Sequence, residues 1–124
     1  MPVIREDDAV RHQLHGAVFH SFAAPASGSR ELCAWRLEVA PGTPGAAHRL
    51  TKEEVFLMLS GTLDVTLDGE TSTLTPGEVV LVPAGAEVRV DNTGAGPAAM
   101  WVTTSVGLQA TMADGSTIAP PWTR

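Results

Sequence analysis

The side chains best suited to catalysis or metal binding are a few histidines and one carboxylate near them. His48 and Glu54 lie six residues apart in the middle of the chain, and His12, His15 and His20 lie in its N-terminal segment. Imidazole and carboxylate groups act as general acids and bases, and they also bind divalent metals such as Fe, Mn, Ni or Zn. The pattern therefore indicates proton transfer or metal binding, depending on which groups the fold brings together.

Composition restricts the class of protein and its partners. The 124 residues suffice for one domain, and 44% of them are hydrophobic, as in ordinary globular proteins. A formal net charge of −6 without a basic stripe predicts no nucleic-acid partner. No signal-peptide pattern or membrane-spanning run is present, which favours a cytoplasmic protein without a membrane partner. The excess of Arg over Lys among many Ala residues indicates a bacterial genome rich in GC.

The elements that must position the histidines and the carboxylate are predicted to be strands. Short runs rich in β-branched residues are separated by turns, of which Asp68-Gly69 is the strongest hairpin signal. About eight strands at intervals of roughly 8–12 residues are typical of an all-β sandwich or barrel. The lone Cys33 lies in one such run, which is typical of a buried small hydrophobic residue. A short helix is expected near residues 5–14.

Two segments in the middle of the chain match the motifs of a known superfamily. They contain Gly42, His48, Leu50, Glu54 and Gly61, then Gly77, Pro83, Gly85, Val88 and Asn92. Their spacing resembles that of the two cupin motifs, G-x5-H-x-H-x3,4-E-x6-G and G-x5-P-x-G-x2-H-x3-N, at every step. The resemblance implies a small cupin with a double-stranded β-helix, also called a jelly-roll barrel, similar to RmlC-like cupins.

The resemblance also implies a metal site, which this sequence keeps only in part. In metal-bearing cupins, two histidines and a glutamate of the first motif and one histidine of the second hold a divalent metal. The corresponding residues here are His48, Leu50, Glu54 and Val88, so two of the four ligands are missing. Catalytic metal sites usually retain three protein ligands. We therefore predict no cofactor; if a metal binds, its expected ligands are His48, Glu54 and His20.

The implied barrel would place His48 and Glu54 in its interior. There they are predicted to hydrogen-bond as a catalytic acid–base pair, or to remain as a polar pair that only satisfies itself. Alternation along the strands predicts that apolar side chains share this interior, either as plain core or as the wall of a small-molecule pocket. The predicted ligand-binding residues are Trp35, Leu50, Phe56, Met58, Val88, Val90, Met100 and Trp101.

Three functions are consistent with the sequence. The first is a metal-free cupin that binds a small, largely apolar organic molecule and uses His48 and Glu54 as an isomerase, cyclase or lyase. The second is a metal-dependent enzyme, such as a dioxygenase, with ligands from outside the motifs. The third is a non-catalytic ligand-sensing or accessory barrel. Leu50 and Val88 favour the first and third over the second, because neither side chain can bind a metal.

The predicted organisation is a single cupin domain over residues 1–124. It comprises an N-terminal arm over 1–16, a core barrel over 17–106 and a C-terminal extension over 107–124. Small cupins resembling this one are commonly dimers, and both arms agree with a homodimer in which a terminal segment packs on the partner. The alternative is that both arms fold back onto their own barrel.

Overall fold

A computed structural model describes residues 3–124, and this part of the chain is all-β, as predicted. Its twelve strands form two six-stranded antiparallel sheets. The strands are β1 (Val10–Leu14), β2 (Ala17–Ala23), β3 (Leu32–Val39), β4 (His48–Leu50), β5 (Glu54–Ser60), β6 (Leu63–Leu67), β7 (Glu70–Leu74), β8 (Val79–Val82), β9 (Glu87–Asp91), β10 (Ala98–Ser105), β11 (Ala110–Met112) and β12 (Thr117–Ile118). Single turns of 3-10 helix span Glu6–Asp8, Pro25–Ser27 and Pro121–Thr123. Within residues 3–124, no helix is long and apolar enough to cross a membrane.

The order of the strands takes the chain back and forth between the two sheets. The first sheet has the order β1-β2-β3-β10-β5-β8 and the second has the order β12-β11-β4-β9-β6-β7. The two halves of the first cupin-like motif therefore lie on different sheets. His48 begins β4 in the second sheet, and Glu54 begins β5 in the first.

The core lies between the inner faces of the sheets. Buried and less buried residues alternate along β3 and β10, as expected for strands with one face on the core. Residues paired across neighbouring strands share a face, so Trp35, Val102 and Phe56 form one inner row across β3, β10 and β5. The largest side chains with less than 2% exposure are Met58, Leu63, Met100, Val82, Val88 and Val102. Cys33 is also buried, as predicted.

The prediction of a short helix near residues 5–14 is wrong. Only Glu6–Asp8 form a helical turn, and the rest of the segment is β1, which pairs with β2 in a hairpin. The connecting residues, His15 and Gly16, both have positive φ, 47° and 69°. Positive φ at both central residues is typical of a type I′ turn, whose twist matches that of the two strands it joins. The hairpin partner thus determines the conformation of this segment more than local helix propensity does.

The predicted turn at Asp68-Gly69 is confirmed, because it joins β6 to β7 with φ of 47° and 83°. The structure has twelve strands, however, whereas about eight were predicted. The strands missing from the prediction are β1 and the short β4, β11 and β12. Segments of two or three residues, such as β12, carry no measurable alternation, so only pairing with a neighbour identifies them as strands.

The C-terminal extension folds back onto its own barrel. The Trp122 ring stacks on Phe19 of β2, with ring centroids 3.6 Å apart and planes 8° from parallel. Ser21 Oγ donates a hydrogen bond to the Trp122 carbonyl oxygen at 2.8 Å, and the buried Thr123 follows. For this extension the structure favours the intramolecular alternative. The predicted N-terminal arm begins with residues 1–2, which lie outside the described residues.

The stacking of Trp122 on Phe19 predicts a measurable contribution to stability. Replacing Trp122 by Ala removes a half-buried aromatic ring, so we expect the free energy of unfolding to fall by about 2 kcal/mol. Urea unfolding followed by circular dichroism measures this change. Ile118→Ala is the control, because Ile118 lies in the same extension but is 44% exposed and should change stability little. Equal stability of Trp122→Ala and the parent would contradict this packing.

Candidate ligand site inside the barrel

Glu54 is the most unusual side chain of the interior. It lies opposite Val82 of β8 and is only 4% exposed. Burial raises the pKa of its carboxyl group to about 8, and no hydrogen bond or cation among the described residues counteracts the desolvation. The carboxyl group is therefore mainly protonated at neutral pH. In this form it can donate a hydrogen bond from within an apolar environment.

His48 lies on the facing sheet, and its ring is hydrogen-bonded to the loop that precedes it. It pairs with Val88 of β9 and is half-buried. Its Nδ1 lies 2.8 Å from the carbonyl oxygen of Ala46, so Nδ1 must carry the proton and donate it to this acceptor. In the neutral ring, Nε2 then keeps a free lone pair. Among the described residues, no hydrogen bond joins His48 to Glu54, which begins a strand of the other sheet.

The four positions of the cupin metal site hold only two groups that could bind a metal. Leu50 and Val88 are buried, with 3% and 0% exposure, and neither has a lone pair. Residues 3–124 contain no group of three or more His, Cys, Asp or Glu side chains arranged to hold a metal ion. The donor set therefore does not fit the divalent metal of other cupins, for which three protein ligands are the usual minimum.

His20 does not complete the metal site, which corrects the alternative ligand set. It pairs with Arg36 on β2 and β3, whereas its neighbours Phe19 and Ser21 pair with the inner residues Leu37 and Trp35. Alternation therefore turns His20 to the outer face of the first sheet. There its Nε2 lies 3.1 Å from Glu38 Oε1, although the approach lacks hydrogen-bond geometry.

Most of the predicted ligand-binding residues lie on the inner faces. Six are buried, with exposures from 0% to 4%: Trp35, Leu50, Phe56, Met58, Val88 and Met100. Val90 lies on the same face as Val88 and is half-buried. These side chains pack against one another as one hydrophobic cluster. The structure therefore brings them together as core, and their contact with a ligand stays a prediction.

Trp101 is the exception and does not line the interior. It alternates with the inner residue Met100 on β10, and it pairs with Arg36 and Leu57 on the outer face. Its ring lies 5.3 Å from that of Phe22, centroid to centroid. The sequence could not distinguish Met100 from Trp101, because both belong to an apolar run.

A recess of about 130 Å³ opens on the inner face near one edge of the barrel. Its lining residues are Val65, Leu67, Glu70, Ser72 and Val80. None of these residues belongs to the motif positions, although alternation along β6 predicts that Val65 and Leu67 share one face. Neither candidate catalytic residue lines the recess, but the register relates both of them to its lining. Leu67 lies in the same cross-strand row as Val88 and His48. Val80 lies two residues before Val82, which pairs with Glu54 across β8 and β5.

One further interior group lacks a partner. The indole Nε1 of Trp35 is buried, and no acceptor among the described residues receives its hydrogen bond. The buried hydroxyl groups of two other residues are satisfied: Thr104 Oγ1 donates to the Glu53 carbonyl oxygen, and Ser21 Oγ donates to that of Trp122. Buried polar groups are nearly always hydrogen-bonded in native proteins. Trp35 and Glu54 on the inner face of the first sheet are therefore both potential contacts for a ligand.

Comparison with known proteins identifies the family. The cupin domain family model matches residues 35–105, which is more than half of the chain, so the chain belongs to the cupin family. Among curated proteins, the endoribonuclease YbeY of Myxococcus xanthus is 35% identical over 66 residues. That match covers 53% of this chain but only 22% of the relative, so the chain spans about a fifth of that protein's length.

Solved structures share the fold at low sequence identity. The polyketide cyclase RemF from Streptomyces resistomycificus superposes with a TM-score of 0.76 at 17% identity, covering 85% of this chain and 79% of RemF. A sugar phosphate isomerase of the cupin superfamily from Silicibacter pomeroyi superposes with a TM-score of 0.75 at 16% identity, covering 94% and 92%. These similarities confirm the predicted jelly-roll fold.

Proposed function

We propose that this cupin binds a small, largely apolar organic molecule inside the barrel, next to Glu54 and without a metal. The observation that carries the proposal is the buried Glu54 carboxyl group, whose pKa burial raises with no opposing contribution from a hydrogen bond among residues 3–124. A protonated carboxyl group in such surroundings gains from a ligand that accepts its hydrogen bond. Leu50 and Val88 support a metal-free site, since they replace two metal ligands by apolar surface.

The recess supports the proposal by its size and lining. Its volume of about 130 Å³ is comparable to the ~150 Å³ apolar cavity that binds benzene in an engineered protein. Val65, Leu67 and Val80 supply the apolar wall, while Glu70 and Ser72 add polar groups. A ligand about the size of one six-membered ring fits this space. A larger ligand requires the flexible side chains of Met58 and Met100 to move.

Acid–base catalysis is a second candidate, favoured by the raised pKa of Glu54 and the orientation of the His48 ring. Glu54 holds a proton at neutral pH that it can give, and the hydrogen bond from His48 Nδ1 to Ala46 leaves Nε2 as the ring atom that can accept one. An isomerase, cyclase or lyase can use one such group to donate a proton and the other to accept one. The related folds of a cyclase and a sugar phosphate isomerase agree with this chemistry. A ligand-sensing role needs only the binding step.

The proposal extends to the setting of the protein. We place it in the bacterial cytoplasm, because its composition and its charge of −6 agree with that environment and do not favour nucleic acid or a membrane surface as partner. We also propose that it forms a homodimer.

Binding in the recess can be tested with cyclohexanone, a ring-sized molecule that carries one hydrogen-bond acceptor. We expect cyclohexanone to shift the backbone amide NMR signals of Leu67 and Val80, and methylcyclohexane to bind more weakly because it cannot accept a hydrogen bond from the Ser72 hydroxyl group that lines the recess. Val80→Phe fills the recess and should weaken binding by about tenfold or more.

The matched control for Val80→Phe is Val10→Phe, because Val10 is a strand residue that is 54% exposed and distant from the recess. Its affinity for cyclohexanone should equal that of the parent. Circular dichroism establishes that both variants are folded. Unshifted signals of Leu67 and Val80 in the folded parent, at saturating cyclohexanone, would contradict binding in the recess.

A further inference from the structure

The end of the chain covers one side of the barrel. β12 is an edge strand of the second sheet, and directly after it the chain crosses to the first sheet. There the helical turn Pro121–Thr123 packs on β1, β2 and β3. We call residues 120–123 the lid. The recess lies on the opposite side, at the edge strands β7 and β8. The barrel interior therefore has one side that opens at the recess and another that the lid covers.

The lid contacts the first sheet through an aromatic ring and two carbonyl groups. The Trp122 ring stacks on Phe19, and the Trp122 carbonyl oxygen accepts a hydrogen bond from Ser21 Oγ. The Thr123 carbonyl oxygen accepts a hydrogen bond from the Cys33 thiol at 3.5 Å, and sulfur is a weak donor. The inner faces of β2 and β3 thus offer the lid a surface for stacking and donors for carbonyl oxygens.

The segment that leads to the lid has little to hold it in place. Residues 113–119 are all exposed, and β12 within this segment pairs with β11 through two residues. Segments with few buried contacts open locally at a lower free energy than global unfolding requires. The lid can therefore detach from β2 and β3 while the two sheets stay folded.

Trp35 lies next to the lid and has an unused hydrogen-bond donor. Ser21 is its cross-strand partner on β2, and Cys33 is its neighbour on the inner face of β3. Both of these residues contact the lid, so Trp35 adjoins two of its points of attachment. The indole Nε1 of Trp35 is buried and has no acceptor among residues 3–124. Since buried N–H groups are nearly always hydrogen-bonded, Trp35 lacks an acceptor that the closed lid does not supply.

A ligand in the recess does not reach this donor. One cross-strand row over β8, β5, β10 and β3 consists of Val80, Phe56, Val102 and Trp35. Neighbouring strands lie ~4.8 Å apart, so about 14 Å separates Val80 at the recess from Trp35. Phe56 and Val102 fill the row between them, with 4% and 2% exposure. An acceptor for Trp35 must therefore enter from the side that the lid covers.

We infer that the lid is a gate over a second ligand subsite, which takes an aromatic carbonyl compound. The lid itself indicates this class, because release of Trp122 frees the Phe19 ring for stacking and Ser21 Oγ for a carbonyl oxygen. Trp35 Nε1 supplies the donor that the closed lid leaves unused. The inference rests on the proposed function of a ligand-binding barrel, and it adds a subsite separate from the recess together with its entrance.

Cys33 reports the opening of the lid, because it is the only thiol of the chain and is buried in contact with Thr123. Its reaction with N-ethylmaleimide is followed by mass spectrometry at urea concentrations below the unfolding transition. We expect the parent to react slowly, at a rate that changes little with urea, since local opening exposes little surface. Trp122→Ala weakens the attachment of the lid and should raise the rate by at least about tenfold.

Leu74→Ala is the matched control for stability. Leu74 is 5% exposed on β7, in the other sheet and away from the lid, so its truncation lowers the free energy of global unfolding. If the lid opens by itself, Leu74→Ala leaves the rate of Cys33 modification unchanged. Equal acceleration by Leu74→Ala and Trp122→Ala, with a rate that rises steeply with urea, would mean that only global unfolding exposes Cys33. That result overturns the gate.

Acetophenone, which has one aromatic ring and one carbonyl group, is the probe for the subsite. We expect it to shift the indole Nε1–H NMR signal of Trp35 downfield. Trp122→Ala should bind it at least about tenfold more tightly than the parent, which must first release its own ring. Ile118→Ala, in the exposed segment before the lid, should bind it like the parent. Ethylbenzene has the same ring without an acceptor and should leave the Trp35 signal near its starting position.

The outcomes keep the subsite and the proposed function apart. A Trp35 signal that stays unshifted in folded Trp122→Ala, at the solubility limit of acetophenone, overturns the subsite. Shifts of Leu67 and Val80 by cyclohexanone in that variant would then leave the proposed function intact, whereas their absence would contradict it as well.

Thr123→Ala repeats both measurements where Trp122→Ala does not fold. It removes the buried hydrogen bond from Thr123 Oγ1 to the Pro120 carbonyl oxygen, which lies within the lid and touches no residue of the subsite. We expect the rate of Cys33 modification and the affinity for acetophenone each to rise by at least about threefold. An unchanged rate and an unchanged affinity in this variant would count against the gate.

Discussion

Replacing Leu50 and Val88 together by histidine is expected to give this chain a divalent-metal site. The two substitutions raise the donor set from two groups to four, the number found in other cupins. His48 and Val88 are directly paired across β4 and β9, so imidazoles at these positions come within reach of one ion, and Leu50 follows His48 by two residues on the same face. Glu54 then approaches from the facing sheet.

The measurement is isothermal titration with Ni²⁺ or Zn²⁺, which should show one equivalent bound by the double variant. The carboxyl group of Glu54 must lose its proton to bind, so affinity should rise with pH up to about 8, the pKa of this group in the parent. Adding Glu54→Gln to the double variant is the control and should reduce the affinity by at least about tenfold. A folded double variant that binds no metal would show that the four side chains do not converge.

The sequence predicted the barrel well because the barrel depends on backbone features. Gly61 illustrates this point, since it has a φ of 69°, and a Cβ atom added there would lie 2.5 Å from the Pro97 carbonyl oxygen. Only glycine satisfies both requirements, so its position between strands is visible in the sequence alone. The same holds for Asp68-Gly69, whose turn type demands positive φ at both residues.

The face on which a side chain lies was harder to predict. His20 is flanked by Phe19 and Phe22, and Trp101 by Met100 and Val102, so neither run shows which side is apolar. A single-residue shift in register moves every side chain to the other face. The irregularity between Ser21 and Ala23 in the pairing of β2 with β3 is such a feature, and it cannot be seen without the partner strand.

Whether the interior is open or filled could not be predicted either. The same inner residues line a pocket or form a solid core, depending on the separation of the sheets, which no local pattern encodes. In the structure Met58 and Met100 are 1% and 0% exposed, so they fill the space between the sheets. The recess lies beside them, at residues of β6, β7 and β8 that lack any functional motif. Glu54, in contrast, occupies a motif position and is also a buried carboxyl group with a raised pKa.

Glu54→Gln is expected to remove much of the pH dependence of stability, which is the largest effect of any single substitution considered. The carboxyl pKa is about 8 in the folded chain, compared with 4.5 as the ordinary value. Below pH 4.5 both the folded and the unfolded states keep the proton, so no free energy is lost. Between these values only the unfolded state releases it, so the stability of the parent falls as pH rises, by about 1.4 kcal/mol per pH unit.

From pH 5 to pH 8 the accumulated loss is about 4 kcal/mol, and glutamine, which does not titrate, avoids it. Urea unfolding at pH 5, 6.5 and 8 should therefore show similar stability of parent and variant at the lowest pH, and an advantage of Glu54→Gln that grows with pH. Glu53→Gln is the matched control, because Glu53 is adjacent but exposed, so its pH dependence should follow that of the parent. A constant difference between Glu54→Gln and the parent over this range would mean that the carboxyl group is already ionised when folded. It could then neither donate a hydrogen bond to a ligand nor act as an acid near neutral pH.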